Sequence, residues 1–212
     1  MYRHYLVDYL DDFTDQARNE NFGSLDLDFG FQRLQTKATQ NIYPKWGQTL
    51  RVNYQQTLGE NENQGEILTL NSVLFFPGLF KNHSFFLSGG YQTEEIVNAY
   101  RFEDVFTNAR GYPSFPFERI YRISTNYAMP FWYPDLALGS IAYFKRLRGN
   151  FFFDYSEGRL LTLDTELRSY GVEIVTDFQF IRLADVGAGV RLGRKIDDDE
   201  FFAEFFITSI RF

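Results

Sequence analysis

FTNARGYPSFPFERIYRISTNYAMPFWYP, residues 106–134, changes character half-way along. Its first half carries Arg110-Gly111-Tyr112 among aromatic, proline and small polar residues. Its second half alternates, with Tyr121, Ile123, Thr125, Tyr127 and Met129 interleaved with Arg122, Ser124, Asn126 and Ala128. A period of two is the mark of a strand whose two faces meet different surroundings. The stretch closes on Pro130-Phe131-Trp132-Tyr133-Pro134, an aromatic turn. Loop, strand and turn are predicted in that order, and a single arginine followed by glycine stands at the head of the strand.

The same period recurs on both sides of this stretch. Leu25, Leu27, Phe29 and Phe31 alternate with Asp26, Asp28 and Gly30, and Leu50, Val52 and Tyr54 with Arg51, Asn53 and Gln55. Val172, Ile174, Thr176 and Phe178 alternate with Glu173, Val175 and Asp177. Ten strands are predicted, at 2–10, 23–40, 47–58, 65–77, 82–93, 118–130, 138–156, 166–182, 185–195 and 200–212, with no amphipathic helix. The connections take turns between two kinds. One set is short: three turns with proline and aromatics, at 43–47, 76–80 and 130–135, and the tight Leu183-Ala184-Asp185. The other is longer and polar, at 11–22, 59–65, 94–117, 157–165 and 197–199.

An up-and-down meander with two unlike ends and long strands points to a transmembrane β-barrel, in which short turns and aromatic girdles lie opposite long loops. The faces agree. One carries Leu, Val, Phe, Tyr and Ile; the other carries Asp26, Asp28, Arg51, Gln55, Asn71, Arg122, Asn126, Arg146, Arg148, Asp154, Glu173, Asp177 and Arg191. An apolar exterior around a charged interior is the arrangement that lipid requires. The alternative is a soluble β-sandwich with one wet face. Residues 1–212 are expected to form one all-β domain of this antiparallel up-and-down barrel type, located in the bacterial outer membrane.

Composition removes other classes. The net charge of −7 argues against nucleic acid as a partner. Cysteine is absent, which excludes disulfides, a thiol nucleophile and thiolate metal sites. No apolar run approaches the roughly 20 residues of a membrane helix. Residues 1–20 hold Arg3, Asp8, Asp11, Asp12 and Asp15 and no apolar core, so no signal peptide is expected there. Taken alone that suggests a soluble cytoplasmic chain; the alternative is that an upstream part precedes Met1.

Three features resemble the BamA/TamA-type barrel superfamily, the bacterial surface antigen family. Arg110-Gly111-Tyr112 in the longest loop resembles the family's Arg-Gly-Phe/Tyr motif. Phe152-Phe153-Asp154-Tyr155-Ser156 resembles its F-x-D-x-G strand motif, with Ser156 in place of the glycine. Five strands follow the Arg-Gly-Tyr loop, as in that family. Ala109 stands where the family has a branched aliphatic residue. The terminal strand, with Phe206, Ile210 and Phe212, resembles the C-terminal signal by which outer-membrane barrels are recognised for assembly, although many strands end on phenylalanine.

The resemblance implies that these are the last ten strands of a sixteen-stranded barrel, without the first six or any periplasmic domain. It implies protein insertion or translocation at the outer membrane, with unfolded or barrel proteins as substrates, accessory periplasmic subunits as partners, and strand 200–212 on one side of a lateral seam. It equally allows a barrel that merely anchors a soluble domain. A self-contained ten-stranded pore is the remaining membrane reading. Neither an enzyme activity nor a cofactor is expected.

An arginine folded into a polar lumen is costly unless paired. Arg110 is expected to pair with Asp154, or with Glu173 or Asp177, while Gly111 lets the loop backbone approach the wall and Tyr112 packs against it. The alternative is a surface arginine in a turn before Pro113. Asp197-Asp198-Asp199-Glu200 has the oxygens to bind calcium but reads better as a solvated loop. Asp26 and Asp28 share a face without a nucleophile nearby, and His4 and His83 stand alone.

Overall fold

The computed structural model describes residues 2–6, 21–36, 41–58, 65–95, 107–115, 117–139, 142–180 and 184–209. Within them eleven strands form one antiparallel sheet. They are β1 (Tyr2–Leu6), β2 (Asn21–Leu34), β3 (Gly47–Leu58), β4 (Glu66–Pro77), β5 (Ser84–Glu95), β6 (Arg119–Trp132), β7 (Leu136–Leu138), β8 (Ala142–Leu160), β9 (Leu163–Phe180), β10 (Ala184–Lys195) and β11 (Phe201–Ser209). With β7 set aside, the strands lie in sequence order, β6 pairing directly with β8; β7 pairs only with the first residues of β8. The sheet is a meander, and its order runs from β1 to β11 without joining the two ends. It is all-β and up-and-down, and the described strands do not close into a barrel.

The predicted alternation sets the faces. Along β8, Arg146, Arg148, Asn150, Phe152, Asp154 and Ser156 are buried, and Phe151 and Phe153 between them are exposed. The cross-strand register carries that division sideways. Ser124 lies opposite Asp154 and Asp154 opposite Ser169, while Ile123 lies opposite Tyr155. The 107–115 loop and the 41–46 turn lie over the buried face, which is called the covered face below. The other, open face carries Leu27, Phe29, Phe31, Ile123, Phe151, Phe153, Ile174, Val190, Phe205 and Ile207, all exposed. This polarity is inverted relative to a water-soluble fold: Phe29 is 60% and Phe205 69% accessible, Asp154 1% and Asp177 0%.

Four sequence expectations need correction, the first being the strand expected over 23–40, which ends at Leu34. The polar loop expected at 157–165 does not exist, because β8 and β9 continue to Leu160 and Leu163 and turn through Leu161 and Thr162. Arg159 and Asp164, which read as loop charges, face each other as a cross-strand ion pair that extends the ladder. The strand expected from 138 begins at Ala142, after the β7 hairpin, whose turn uses a positive φ at Gly139. The strand expected to end at 130 runs on to Trp132 through a register irregularity at Pro130–Trp132. A second irregularity, between Phe144 and Arg146, makes Lys145 the extra residue, so that Phe144 meets Phe178 and Arg146 meets Asp177.

Candidate functional site

The site begins with a turn. The Tyr112 N–H donates to the Ala109 carbonyl at 3.2 Å, and Gly111, third in the turn, has φ +86°. That positive φ is the requirement of a type II turn and is natural only for glycine. A Cβ at Gly111 would also lie 2.5 Å from the Phe202 ring of β11. The turn therefore brings loop backbone directly against the sheet and aims the Arg110 side chain into the covered face.

Arg110 is held there by β6, β8 and β9 together. Its Nε and Nη2 donate to the two oxygens of Asp154, each at 2.7 Å, and its backbone N–H donates to Asp154 Oδ2 at 3.0 Å. Nη1 donates to Glu173 Oε1 at 3.1 Å. Nη2 also faces Ser124 Oγ at 2.7 Å and Asn126 Oδ1 at 2.9 Å. The guanidinium carbon lies 3.8 Å from the Phe152 ring centroid. The forked guanidinium fits the planar carboxylate bidentately, which gives direction as well as attraction. Burial alone would lower the Arg110 pKa, but the bonds and charges of Asp154 and Glu173 outweigh it and raise the group above its ordinary value.

Polar bonds continue from Arg110 to β11. Glu173 accepts from Arg191 Nε at 2.7 Å and from Asn150 Nδ2 at 2.9 Å, and Arg191 Nη1 donates to Glu204 at 2.9 Å. Arg191 also lies over the Phe206 ring, 4.8 Å from its centroid. Asp177, one of the three expected partners of Arg110, belongs to a separate cluster. It accepts from Arg146 Nε at 2.5 Å and Arg148 Nε at 3.0 Å. The reason is distance: on β9 it lies four residues beyond Glu173, about 13 Å along the strand. Arg146 also donates to the Asn41 carbonyl at 3.0 Å and Arg148 to the Tyr43 hydroxyl at 3.3 Å, which ties the 41–46 turn over the same face.

The loop has a second anchor. Tyr112 packs on a small core of Ala109, Phe117, Ile120 and Leu167. Its hydroxyl lies 3.2 Å from the Arg168 carbonyl and 3.3 Å from Asp197 Oδ2, and Lys195 lies over its ring. Burial pushes the Tyr112 hydroxyl up to about 12. Asp197, expected in a solvated loop, instead accepts from the Arg168 guanidinium at 2.7 Å and from its N–H at 2.6 Å. Its burial acts to raise its pKa, but these donors hold the carboxyl below its ordinary value.

The structure thus brings together Arg110, Gly111, Tyr112, Phe152, Asp154 and Glu173 and leaves Asp177 to other arginines. Ser156 is buried on the same face of β8, its hydroxyl without a hydrogen-bond partner among the described residues. Phe206 faces Arg191; Ile210 and Phe212 lie outside the described residues. Phe202, Arg168 and Tyr43 were not singled out, and Asp197 was placed in a solvated loop. Their roles come from contacts between segments far apart in sequence, which strand periodicity does not report.

Four donors converge on Asp154: three from Arg110 and the Ser124 hydroxyl. A carboxylate so occupied is a poor general base and a good anchor. The geometry fixes the loop to the sheet. No protein-family model, curated protein or solved structure matches this chain.

Proposed function

We propose that this chain is part of a bacterial outer-membrane β-barrel that inserts or translocates proteins. The observation that carries the membrane reading is the inverted polarity of the sheet, with ion pairs buried on one face and large apolar side chains bare on the other. In a bilayer the open face meets acyl chains and the covered face lines a lumen occupied by the Arg110 loop. The aromatic rows support it. Tyr54, Tyr91, Tyr121 and Tyr155 mark the long-loop end, and Trp46, Phe76, Phe85 and Trp132 the short-turn end. Tyr121 and Trp132 are about 36 Å apart along β6, and a tilt of about 45° reduces that to about 25 Å, the height of an outer-membrane apolar band.

Unpaired sheet edges are not tolerated in hydrocarbon, so on this reading β1 and β11 find partners in further strands. The BamA/TamA-like motifs would supply them from six preceding strands, with β11 beside the seam. The double fixing of the loop also suits a closed anchoring barrel. An assay on purified chain reconstituted in vesicles separates the two: a translocating barrel accelerates insertion of an unfolded barrel protein, and an anchor does not. The membrane reading itself fails if the chain stays monodisperse without detergent and shows no heat-dependent gel mobility.

A further inference from the structure

The short-turn end of β2–β5 has a charge character of its own. No Asp or Glu occurs from Phe29 to Gly59 or from Ile67 to Thr93, in a chain whose net charge is −7. Arg33, Lys37, Lys45, Arg51 and Lys81 lie in these stretches, Arg51 paired with Asp28. The carboxylates of the same strands, Asp26, Asp28, Glu66, Glu94 and Glu95, sit toward the long-loop end. Arg33 is exposed and makes no ion pair among the described residues.

At this end the sheet has a recess of about 610 Å³ lined by Arg33, Gln35, Trp46, Gln48, Leu74 and Phe76, with no carboxylate on its walls. The Trp46 and Phe76 rings meet edge to face at 5.8 Å. On the next turn Leu79 and Phe80 are exposed beside Lys81. An apolar aromatic wall under one cation and two side-chain amides offers a surface for an acyl chain below a donor set for a phosphate. An acidic soluble protein would find the same cations but would have to cover bare aromatics continuous with the lipid-facing side.

We propose that this recess seats the phosphate headgroup of an anionic phospholipid in the leaflet that meets the short turns. The site rests on the membrane reading above. The charge segregation gives it its sign: attraction acts over about a Debye length, and among the described residues no carboxylate lines the recess.

The chain's two tryptophans, Trp46 and Trp132, make the test local. A Trp132→Phe variant of the full chain leaves Trp46 as the reporter, and a Trp46→Phe variant leaves Trp132. Each is reconstituted in vesicles containing phosphatidylglycerol and phosphatidylcholine, with one of the two lipids brominated on its acyl chains. Brominated phosphatidylglycerol is expected to quench Trp46 more strongly than brominated phosphatidylcholine. Trp132, which lies opposite Leu147 and three residues before Asp135, should show no such preference. Arg33→Gln should cut the preference at Trp46 about fivefold, the worth of one basic side chain at an anionic surface, and Arg33→Lys should keep it. Equal quenching of Trp46 by the two lipids, or a preference unchanged in Arg33→Gln, overturns the site and leaves an acidic protein as its occupant. Quenching of neither tryptophan by either lipid overturns the membrane reading and this site with it.

Discussion

Arg110–Asp154 and Arg51–Asp28 are the same pair of residue types on the same face of one sheet, at 2.7 and 2.5 Å. They differ in what lies over them. The Arg51 side chain is 69% accessible and the Arg110 side chain 16%. Over β6–β11 the Arg110 loop excludes water, so each charge depends on its partner; over β2 and β3 nothing described covers the pair, and water solvates both charges. The difference teaches that the loop creates the site: the charged strand pattern is common to both halves, and burial alone turns a charge pair into a structural commitment.

The largest effect tests that commitment. Arg110→Ala or Asp154→Ala leaves a buried charge without its partner and is expected to cost about 3–5 kcal/mol, read from unfolding in micelles. The double mutant should lose much less than the sum, whereas simple addition would show that the two side chains do not interact. Gly111→Ala comes next. It places a residue with a Cβ at φ +86° and against Phe202, and the backbone strain alone is worth about 1–3 kcal/mol. Proteolysis of the 107–115 loop should rise with it.

The second anchor should be weaker and pH-dependent. Asp197 has a folded pKa below its ordinary value, so it stabilises the folded loop above about pH 4, the unfolded carboxylate range, and that contribution fades as the pH falls through the folded value. Loop protection against protease should fall on acidification in the parent, and Asp197→Asn should flatten that dependence. The smallest effect belongs to the exposed pair: Arg51→Ala should cost less than about 1 kcal/mol. A loss from Arg51→Ala equal to that from Arg110→Ala would erase the contrast between the two halves.

Much of this was legible in the chain. Period two located ten of the eleven strands and assigned Asp154 and Glu173 to one face, because a pleated strand forces alternate side chains apart. The Arg-Gly-Tyr sequence announced a turn that only glycine satisfies. Leu136–Leu138 was too short to stand out beside an aromatic turn, and Glu157, Gly158 and Arg159 resembled a loop because charges and glycine at a strand end occur in loops as well. Asp177 was a reasonable partner for Arg110 from its face alone; its level along β9, four residues from Glu173, decides against it, and level depends on register with β8. The Tyr112–Asp197 latch joins residues 85 positions apart and leaves no local pattern.

In the proposed membrane arrangement the open face of this sheet meets lipid and the covered face does not. The chain has no cysteine, so a nitroxide can be placed at one chosen position. In vesicles, labels at Phe29, Phe153 and Ile174 should relax strongly with oxygen and weakly with a water-soluble nickel complex, and a label at Asn126 should be shielded from both. Strong relaxation by the nickel complex at the three open-face positions would contradict the account.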